Sequence, residues 1–125
     1  MKSSRPAALI VEDQPFVGMV TSDILRESGF ETFHAYDASD AAAVLEEHPE
    51  IEVVVTEALL PGEVTGIELC QRLSQQRPDV RLVVTATSPE EHRATVPNGA
   101  RVLRKPYASG ELRTCAGSES PLADA

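Results

Sequence analysis

Short β-favouring runs alternate five times with patterns typical of amphipathic helices, and this alternation limits the folds open to the chain. The predicted strands are residues 7–11, 31–36, 51–57, 80–86 and 100–104. Regular alternation of this kind is typical of parallel strands joined by right-handed crossovers, with helices on both faces of one sheet. We therefore predict a doubly wound α/β fold, a three-layer sandwich with the flavodoxin-like strand order 2-1-3-4-5.

Capping and stop signals bound the predicted helices. Pro15 suits the first turn of the first helix, and Asp37 or Ser39 can cap the second. The fourth helix starts at Ser88 and soon meets Pro97, so we expect only about two turns there. The predicted apolar stripes are Phe16, Val17, Val20, Ile24 and Leu25 in the first helix and Ala38, Ala41, Ala42 and Leu45 in the second.

Polar side chains stand at the carboxyl ends of four predicted strands, where open α/β sheets bind their ligands. They are Glu12 and Asp13, Glu57, Thr85 and Lys105. Three neighbouring carboxylates would raise one another's pKa, and a hard cation such as Mg²⁺ would relieve that repulsion. A hydroxyl and an ammonium suit an incoming phosphoryl oxygen. The residues therefore indicate a site for Mg²⁺ and a phosphoryl group at this edge.

Each of these residues also has a structural explanation when taken alone. Glu12 and Asp13 would serve as acids at a helix N-terminus. Glu57 would be a solvated acid at a strand end, although Glu is rarely buried without a partner. Thr85 would be an ordinary strand-end residue and Lys105 a solvated charge. The functional interpretation depends on their combination.

Composition narrows the classes of function. The chain has 125 residues, enough for one domain with a core. Its formal net charge of −9 argues against nucleic-acid binding, which needs a basic face, and disfavours anionic membranes. No apolar run approaches the roughly 20 residues that cross a bilayer, so we expect a cytoplasmic protein. Cys70 and Cys115 make no disulfide framework, and the three histidines lack metal-ligand spacing.

Four groups of residues, in order, resemble the receiver domains of response regulators in bacterial two-component signalling. They are Leu9-Ile10-Val11-Glu12-Asp13, then Leu60-Pro61-Gly62 with Gly66-Ile67-Glu68-Leu69, then Thr85-Ala86, and finally Gly99-Ala100 with Lys105-Pro106-Tyr107. Each group alone has low specificity, but the ordered set is specific. The resemblance predicts a receiver domain over residues 7–115, between an N-terminal extension (1–6) and a flexible C-terminal tail (116–125).

The resemblance implies a metal site built from residues at or just after the ends of two different strands. Glu12 and Asp13 match the acidic pair that holds Mg²⁺, with Asp13 as the direct ligand. Glu57 stands where the family has its phosphoaccepting aspartate, which also faces the metal. Leu59 matches the position whose backbone carbonyl completes the coordination. The expected cofactor is therefore Mg²⁺.

The resemblance also implies the phosphoryl contacts. Thr85 matches the hydroxyl residue that bonds the phosphoryl group, and Lys105 matches the lysine that pairs with the acceptor and then with the phosphate. The Lys105–Pro106 bond is a candidate for a cis peptide.

Three departures from the family pattern bear on function. The extra methylene of Glu57 moves its carboxylate by roughly 1.5 Å, which in-line phosphoryl transfer tolerates badly. No aspartate lies between Asp40 and Asp79 to replace it. Val102 stands where the family usually has an aromatic switch residue, and Pro97 interrupts the fourth helix. Both lie on the face of helix 4, strand 5 and helix 5, which weakens the expectation of aromatic-linked switching there.

Three classes of function remain. The first is a stand-alone atypical receiver, not an enzyme, that acts by protein–protein contact while Glu57 imitates a phosphoaspartate by reaching Thr85 or Lys105. The second is a receiver still phosphorylated through Glu57. The third, ranked far lower, is a flavodoxin-like cofactor binder, since the acids after the first strand would repel a phosphate. Expected partners are a histidine kinase, a phosphotransfer protein or a downstream signalling protein, and the expected assembly is a monomer or weak homodimer.

Overall fold

The strands form one parallel sheet in a computed structural model that describes residues 5–117. They are β1 (Ala7–Val11), β2 (Glu31–Ala35), β3 (Ile51–Glu57), β4 (Arg81–Ala86) and β5 (Arg101–Arg104). Their order is β2-β1-β3-β4-β5, and every neighbouring pair is parallel. This confirms the predicted flavodoxin-like strand order. Strands β2, β4 and β5 are each one residue shorter than predicted.

The α-helices of the described residues follow the capping signals closely. They are α1 (Pro15–Glu27), α2 (Ala38–Glu47), α3 (Gly66–Gln76) and α4 (Ser109–Ala116). Asp37 is the N-cap of α2, and its carboxylate accepts a hydrogen bond from the Asp40 amide at 2.9 Å. The predicted stripe of α2 is wrong at Ala42, which is exposed. No helix in residues 5–117 is long and apolar enough to cross a membrane.

Both faces of the sheet bury apolar side chains. All residues of β1 are buried, as expected for a strand covered on two sides. One core cluster packs against α2 and α3, and the other packs against α1 and α4. Cys70 belongs to the first cluster, where burial raises the pKa of its thiol to about 12. Cys70 and Cys115 are both free thiols.

Helix α1 presents a different face to the sheet from the one predicted. Phe16 is 75% exposed and Val20 is 43% exposed, so the predicted apolar stripe is wrong at these two residues. The buried residues are Gly18, Thr21 and Leu25. Gly18 and Thr21 are small, so this face of α1 can lie close to neighbouring residues such as His34. The larger side chains of Phe16 and Val20 then face solvent.

The segment between β4 and β5 differs most from the prediction. A 3₁₀ turn at Pro89–Glu91 replaces the expected helix, because a longer helix would run into a proline that has no amide hydrogen. We call residues 87–100 the turn segment. The Gln71 side chain donates a hydrogen bond to the Thr95 carbonyl at 2.7 Å and fastens this segment to α3. Val96 and Ala100 pack against the core, so the turn segment covers the sheet where a helix was expected.

The chain ends of the predicted domain need one adjustment. Ala116, which the prediction places in the tail, is the last residue of α4 and is buried. Residues 1–4 of the predicted extension and 118–125 of the predicted tail lie outside the described residues.

Candidate functional site

The register of the sheet brings the predicted site residues to one edge. Glu57, the last residue of β3, lies opposite Thr85 of β4. Glu12 follows β1 directly, and Lys105 follows β5 directly. The Lys105 amide continues the sheet by donating to the Ala86 carbonyl at 2.8 Å. All four side chains therefore begin at the carboxyl edge of the sheet.

Lys105 lies between two carboxylates at this edge. Its Nζ donates hydrogen bonds to Glu57 Oε1 and, at 3.4 Å, to Glu12 Oε1. The side chains of Lys105, Glu12 and Glu57 are only 18%, 6% and 13% exposed. Because water screens such a pair weakly, the attraction is stronger than it would be at the surface.

Burial and charge act in opposite directions on these groups. Burial raises the pKa of Glu12 above its ordinary value, although the nearby Lys105 ammonium opposes this. Burial alone would lower the pKa of Lys105. The hydrogen bond and attraction to Glu57, with the attraction to Glu12, outweigh burial and raise the pKa of Lys105. Lys105 is therefore held in its charged form.

Two further hydrogen bonds hold Glu12, one to its carboxylate and one to its backbone carbonyl. The Gln14 amide donates to Glu12 Oε2 at 3.3 Å. The Nε2–H of His34, on the neighbouring strand β2, donates to the Glu12 carbonyl at 3.1 Å. The imidazole lies against α1, since a Cβ at Gly18 would be 2.7 Å from His34 Nε2. No role was predicted for His34 from the sequence, and only the pairing of β1 with β2 reveals this contact.

Thr85 is buried, and its hydroxyl does not bond the Glu57 carboxylate. Its hydroxyl donates to the Thr56 carbonyl at 3.5 Å, toward the backbone of β3. Of the two partners predicted for Glu57, the structure shows the contact with Lys105. Val102, in β5, is half-buried and lies opposite Val84.

The predicted metal ligands have suitable chemistry but are not gathered around one point. Carboxylate and carbonyl oxygens are the ligands that Mg²⁺ prefers. Lys105, however, engages both Glu12 and Glu57, while Asp13 is half-buried and forms none of the ion pairs found here. Within residues 5–117, no three Asp, Glu, His or Cys side chains lie where they could hold a metal ion. This arrangement does not fit Mg²⁺, and the ligand roles, that of the Leu59 carbonyl included, stay predictions.

Gly66 lets α3 begin against the backbone of the site. A Cβ at this position would lie 1.8 Å from the Glu57 carbonyl oxygen. The Gly66 amide donates to the Ala58 carbonyl at 2.9 Å, and the Thr56 hydroxyl donates to the Glu57 carbonyl at 3.0 Å. The backbone around Glu57 is therefore held from two sides.

The loop after β5 joins the site to helix α1. The Lys105–Pro106 peptide bond is cis, as predicted. Tyr107 then points toward α1, where its hydroxyl lies 2.5 Å from Thr21 Oγ1. An apolar groove of about 330 Å³ opens here, lined by α1 residues and by Lys105, Pro106 and Tyr107. The contact between Thr21 and Tyr107 was not predicted, because no local pattern links residues 86 positions apart.

Comparison with known proteins gives one family and several similar structures. A family model described as response regulator receiver domain matches residues 8–116. The signal receiver domain of an HD domain-containing protein from Pseudomonas fluorescens Pf-5 is 27% identical, with a TM-score of 0.78, over 89% of this chain and 90% of that chain.

Two further solved structures share the fold at lower identity. A response regulator receiver protein from Sinorhizobium medicae WSM419 is 18% identical with a TM-score of 0.84, over 90% of this chain and 92% of that one. Response regulator protein TrrA from Thermotoga maritima, solved in complex with Mg(2+)-BeF, is 18% identical with a TM-score of 0.74, over 86% of this chain and 93% of that one.

Proposed function

The chain belongs to the response regulator receiver domain family, and from this premise we propose an atypical receiver of two-component signalling that acts by protein–protein contact. In this proposal Glu57 takes the place of the phosphoaccepting aspartate and is not itself phosphorylated. Its partners are a histidine kinase, a phosphotransfer protein or a downstream signalling protein. The proposal does not include the flavodoxin-like cofactor binder, because the receiver family model matches residues 8–116.

The contact between Glu57 and Lys105 is the observation that carries this proposal. The longer carboxylate reaches the ammonium, which also bonds Glu12. The pair directs the longer side chain toward Lys105, and a carboxylate displaced by roughly 1.5 Å is poorly placed for in-line phosphoryl transfer. The resemblance gives the family's aspartate the same lysine as its partner before phosphorylation, so the proposal depends on the length of Glu57 together with this pairing.

In this proposal the same contact is a partial imitation of the phosphorylated state, because the resemblance pairs this lysine with the phosphate once a phosphate is present. Glu57 satisfies Lys105 without any added phosphate, while the Thr85 hydroxyl bonds the Thr56 carbonyl. The imitation therefore acts through Lys105 and not through Thr85. We propose that the pair holds the carboxyl edge in one state, and that signalling depends on which partner recognises that state.

Mass spectrometry of the intact protein tests the proposal. Wild type, Glu57→Asp and Glu57→Gln are incubated with Mg²⁺ and a small acyl phosphate. We expect only Glu57→Asp to gain the mass of one phosphoryl group, because the shorter carboxylate returns to the length and position of the family's aspartate. The Gln variant controls for labelling at other residues.

Two results of this experiment would contradict the proposal. Labelling of wild type, lost in Glu57→Gln, would show a receiver that works through Glu57. Absence of label in all three proteins would show that Glu57 is not the change that ended phosphorylation. Flavin absorbance in the purified protein would revive the cofactor-binding alternative.

A further inference from the structure

We propose that Tyr107 is a positioning residue, which anchors the loop after β5 to helix α1 and so keeps Lys105 between Glu12 and Glu57. The inference rests on the proposed importance of Lys105 but on no partner, metal or phosphate. Its test uses the protein alone, so its failure can be distinguished from failure of the phosphorylation test.

The hydrogen bond between Tyr107 and Thr21 has a defined direction. The Thr21 hydroxyl donates its one hydrogen to the Val17 carbonyl at 3.0 Å. At 2.5 Å from Thr21 Oγ1, the Tyr107 hydroxyl must therefore be the donor. Thr21 is 3% exposed, so water cannot readily replace the phenol as its partner. Such a bond between two poorly solvated groups is costly to break.

The hydrogen bond of Tyr107 is close to Lys105 along the chain. The Lys105 amide is the last to bond the sheet before the loop, through the Ala86 carbonyl. Pro106 has no amide hydrogen to donate. The next attachment is the Tyr107 side chain, two residues beyond Lys105, followed by the Ala108 amide, which donates to Glu111 Oε1 at 2.8 Å. The tyrosine is thus the attachment between Lys105 and α1.

The geometry at Lys105 is sensitive to small movements of this loop. Its bond to Glu12 is 3.4 Å long, close to the limit at which a hydrogen bond retains useful strength. A displacement of a few tenths of an ångström would break that bond. Arg104, the residue before Lys105, bonds the Thr87 carbonyl at 3.2 Å and forms an ion pair with Glu90. These contacts are exposed to water, so we expect them to hold Lys105 less firmly than the buried bond of Tyr107.

Selective labelling of lysine amines tests the proposal, because the chain has only two lysines, Lys2 and Lys105. The full chain is treated with a dilute amine-acylating reagent, and peptide mass spectrometry gives the rate at Lys105 relative to Lys2. We expect Tyr107→Phe to raise this ratio by roughly threefold to tenfold, the effect of losing one net hydrogen bond. Tyr36→Phe removes the other, exposed tyrosine hydroxyl and is expected to leave the ratio unchanged.

Variants of the acceptor separate positioning from general loss of stability. Thr21→Val keeps the shape but removes the hydroxyl, and should raise the ratio as Tyr107→Phe does. Thr21→Ser keeps the hydroxyl and should restore the wild-type ratio. The double variant Thr21→Val with Tyr107→Phe should add nothing to either single change, since both remove one bond.

Three outcomes would overturn the inference. One is a wild-type ratio in Tyr107→Phe, and another is an equal rise in Tyr36→Phe. The third is a rise in the labelling ratio that tracks the fall in each variant's urea midpoint, accompanied by equally faster hydrogen exchange at the core amides of β1. That last pattern would mean that Tyr107 stabilises the whole fold without positioning Lys105.

Discussion

The missing side chain at Gly66 lets the start of α3 lie on the Glu57 backbone. In Gly66→Ala the added Cβ would meet a backbone oxygen at 1.8 Å, and backbone cannot rotate away as a flexible side chain can. We expect a loss of roughly 3 kcal/mol or more in the free energy of unfolding, measured by urea denaturation. Gly110→Ala is the matched control, because a Cβ added there would have no neighbour within 4 Å and α4 should gain about 0.5–1 kcal/mol.

Equal effects of these two glycine substitutions would contradict this explanation. They would mean that the approach of α3 to Glu57 is looser than the structure indicates.

Removal of the Lys105 charge should expose the repulsion between the two acids. Lys105→Met leaves the buried carboxylates of Glu12 and Glu57 without a cation, so we expect a loss of about 3 kcal/mol at neutral pH. Adding Glu57→Gln should recover part of this loss, since one unpaired charge remains instead of two. Urea denaturation of the single and double variants gives both values.

An exposed ion pair supplies the control for that prediction. Arg104 and Glu90 form a salt bridge whose side chains are more than half exposed. Arg104→Met should change stability by less than about 1 kcal/mol, because water screens such pairs. If both substitutions have the same small effect, the burial of the Lys105 pairs does not strengthen them.

At the scale of single residues, the sequence predicted the acids and the lysine of the site but not their arrangement. Strand-end positions follow from the alternation of elements, so Glu12, Glu57 and Lys105 could be placed at one edge in advance. The choice of Lys105 over Thr85 as the partner of Glu57 depends on side-chain rotation, which no pattern encodes. The Thr21–Tyr107 bond depends on how α1 is rotated, and that rotation was predicted wrongly.

Among the elements, the turn segment is attached to α3 through the side chain of Gln71. In Gln71→Ala the bond to the Thr95 carbonyl is lost, so residues 87–100 should open more often while the sheet stays intact. We expect several-fold faster hydrogen exchange at the Val96 and Ala100 amides, which bond within this segment. Gln75→Ala, at an exposed position of the same helix, should have no such effect.

Faster exchange throughout β3 and β4 in Gln71→Ala would contradict a local role. It would show that the segment and the sheet open together.

Strands were easier to predict than helices in this chain. A strand buried on both faces needs only a short apolar run, and β1 and β3 were predicted to the residue. The face of α1 was harder, because Gly18 and Thr21 are buried by close packing while Phe16 and Val20 remain exposed. The turn segment was predicted as a short helix because its start signal is local, whereas packing against α3 is not.

Taken as a whole, the molecule should lose stability in alkaline solution through two groups. Burial raises the pKa of Tyr107, and against the effect of burial the hydrogen bond and attraction to Glu57 raise the pKa of Lys105. From the ordinary values of 10.0 and 10.5 upward, the unfolded chain releases protons that the folded chain retains. Their contribution is therefore complete below these values and is lost as the pH rises through the raised folded pKa values.

Thermal unfolding between about pH 8 and pH 11 measures this loss. Tyr107→Phe should show a shallower fall in stability above about pH 10, because one titrating group has been removed. The same slope in both proteins would show that Tyr107 ionises equally in the folded and unfolded chains.

The response of the whole molecule to Mg²⁺ should also be small. A ligand stabilises a protein only through preferential binding to the folded state. Lys105 already forms ion pairs with Glu12 and Glu57. We therefore expect wild type to have the same melting temperature in about 10 mM MgCl₂ as in NaCl of matched ionic strength. In Lys105→Met, where the acids lack a cation, Mg²⁺ should raise it. An equal rise in both proteins would show that the lysine does not compete with the metal.

Strand β5 has a consequence for how copies of this protein meet in concentrated solution. One side of it pairs with β4, so its other side leaves backbone donors and acceptors unpaired at the border of the sheet. The strand is only four residues long, and exposed arginines stand at both of its ends. Two such borders brought together would place like charges side by side, which opposes fibril growth by strand addition. We therefore expect the arginines that shorten the apolar run of this strand also to oppose strand addition at this border of the sheet.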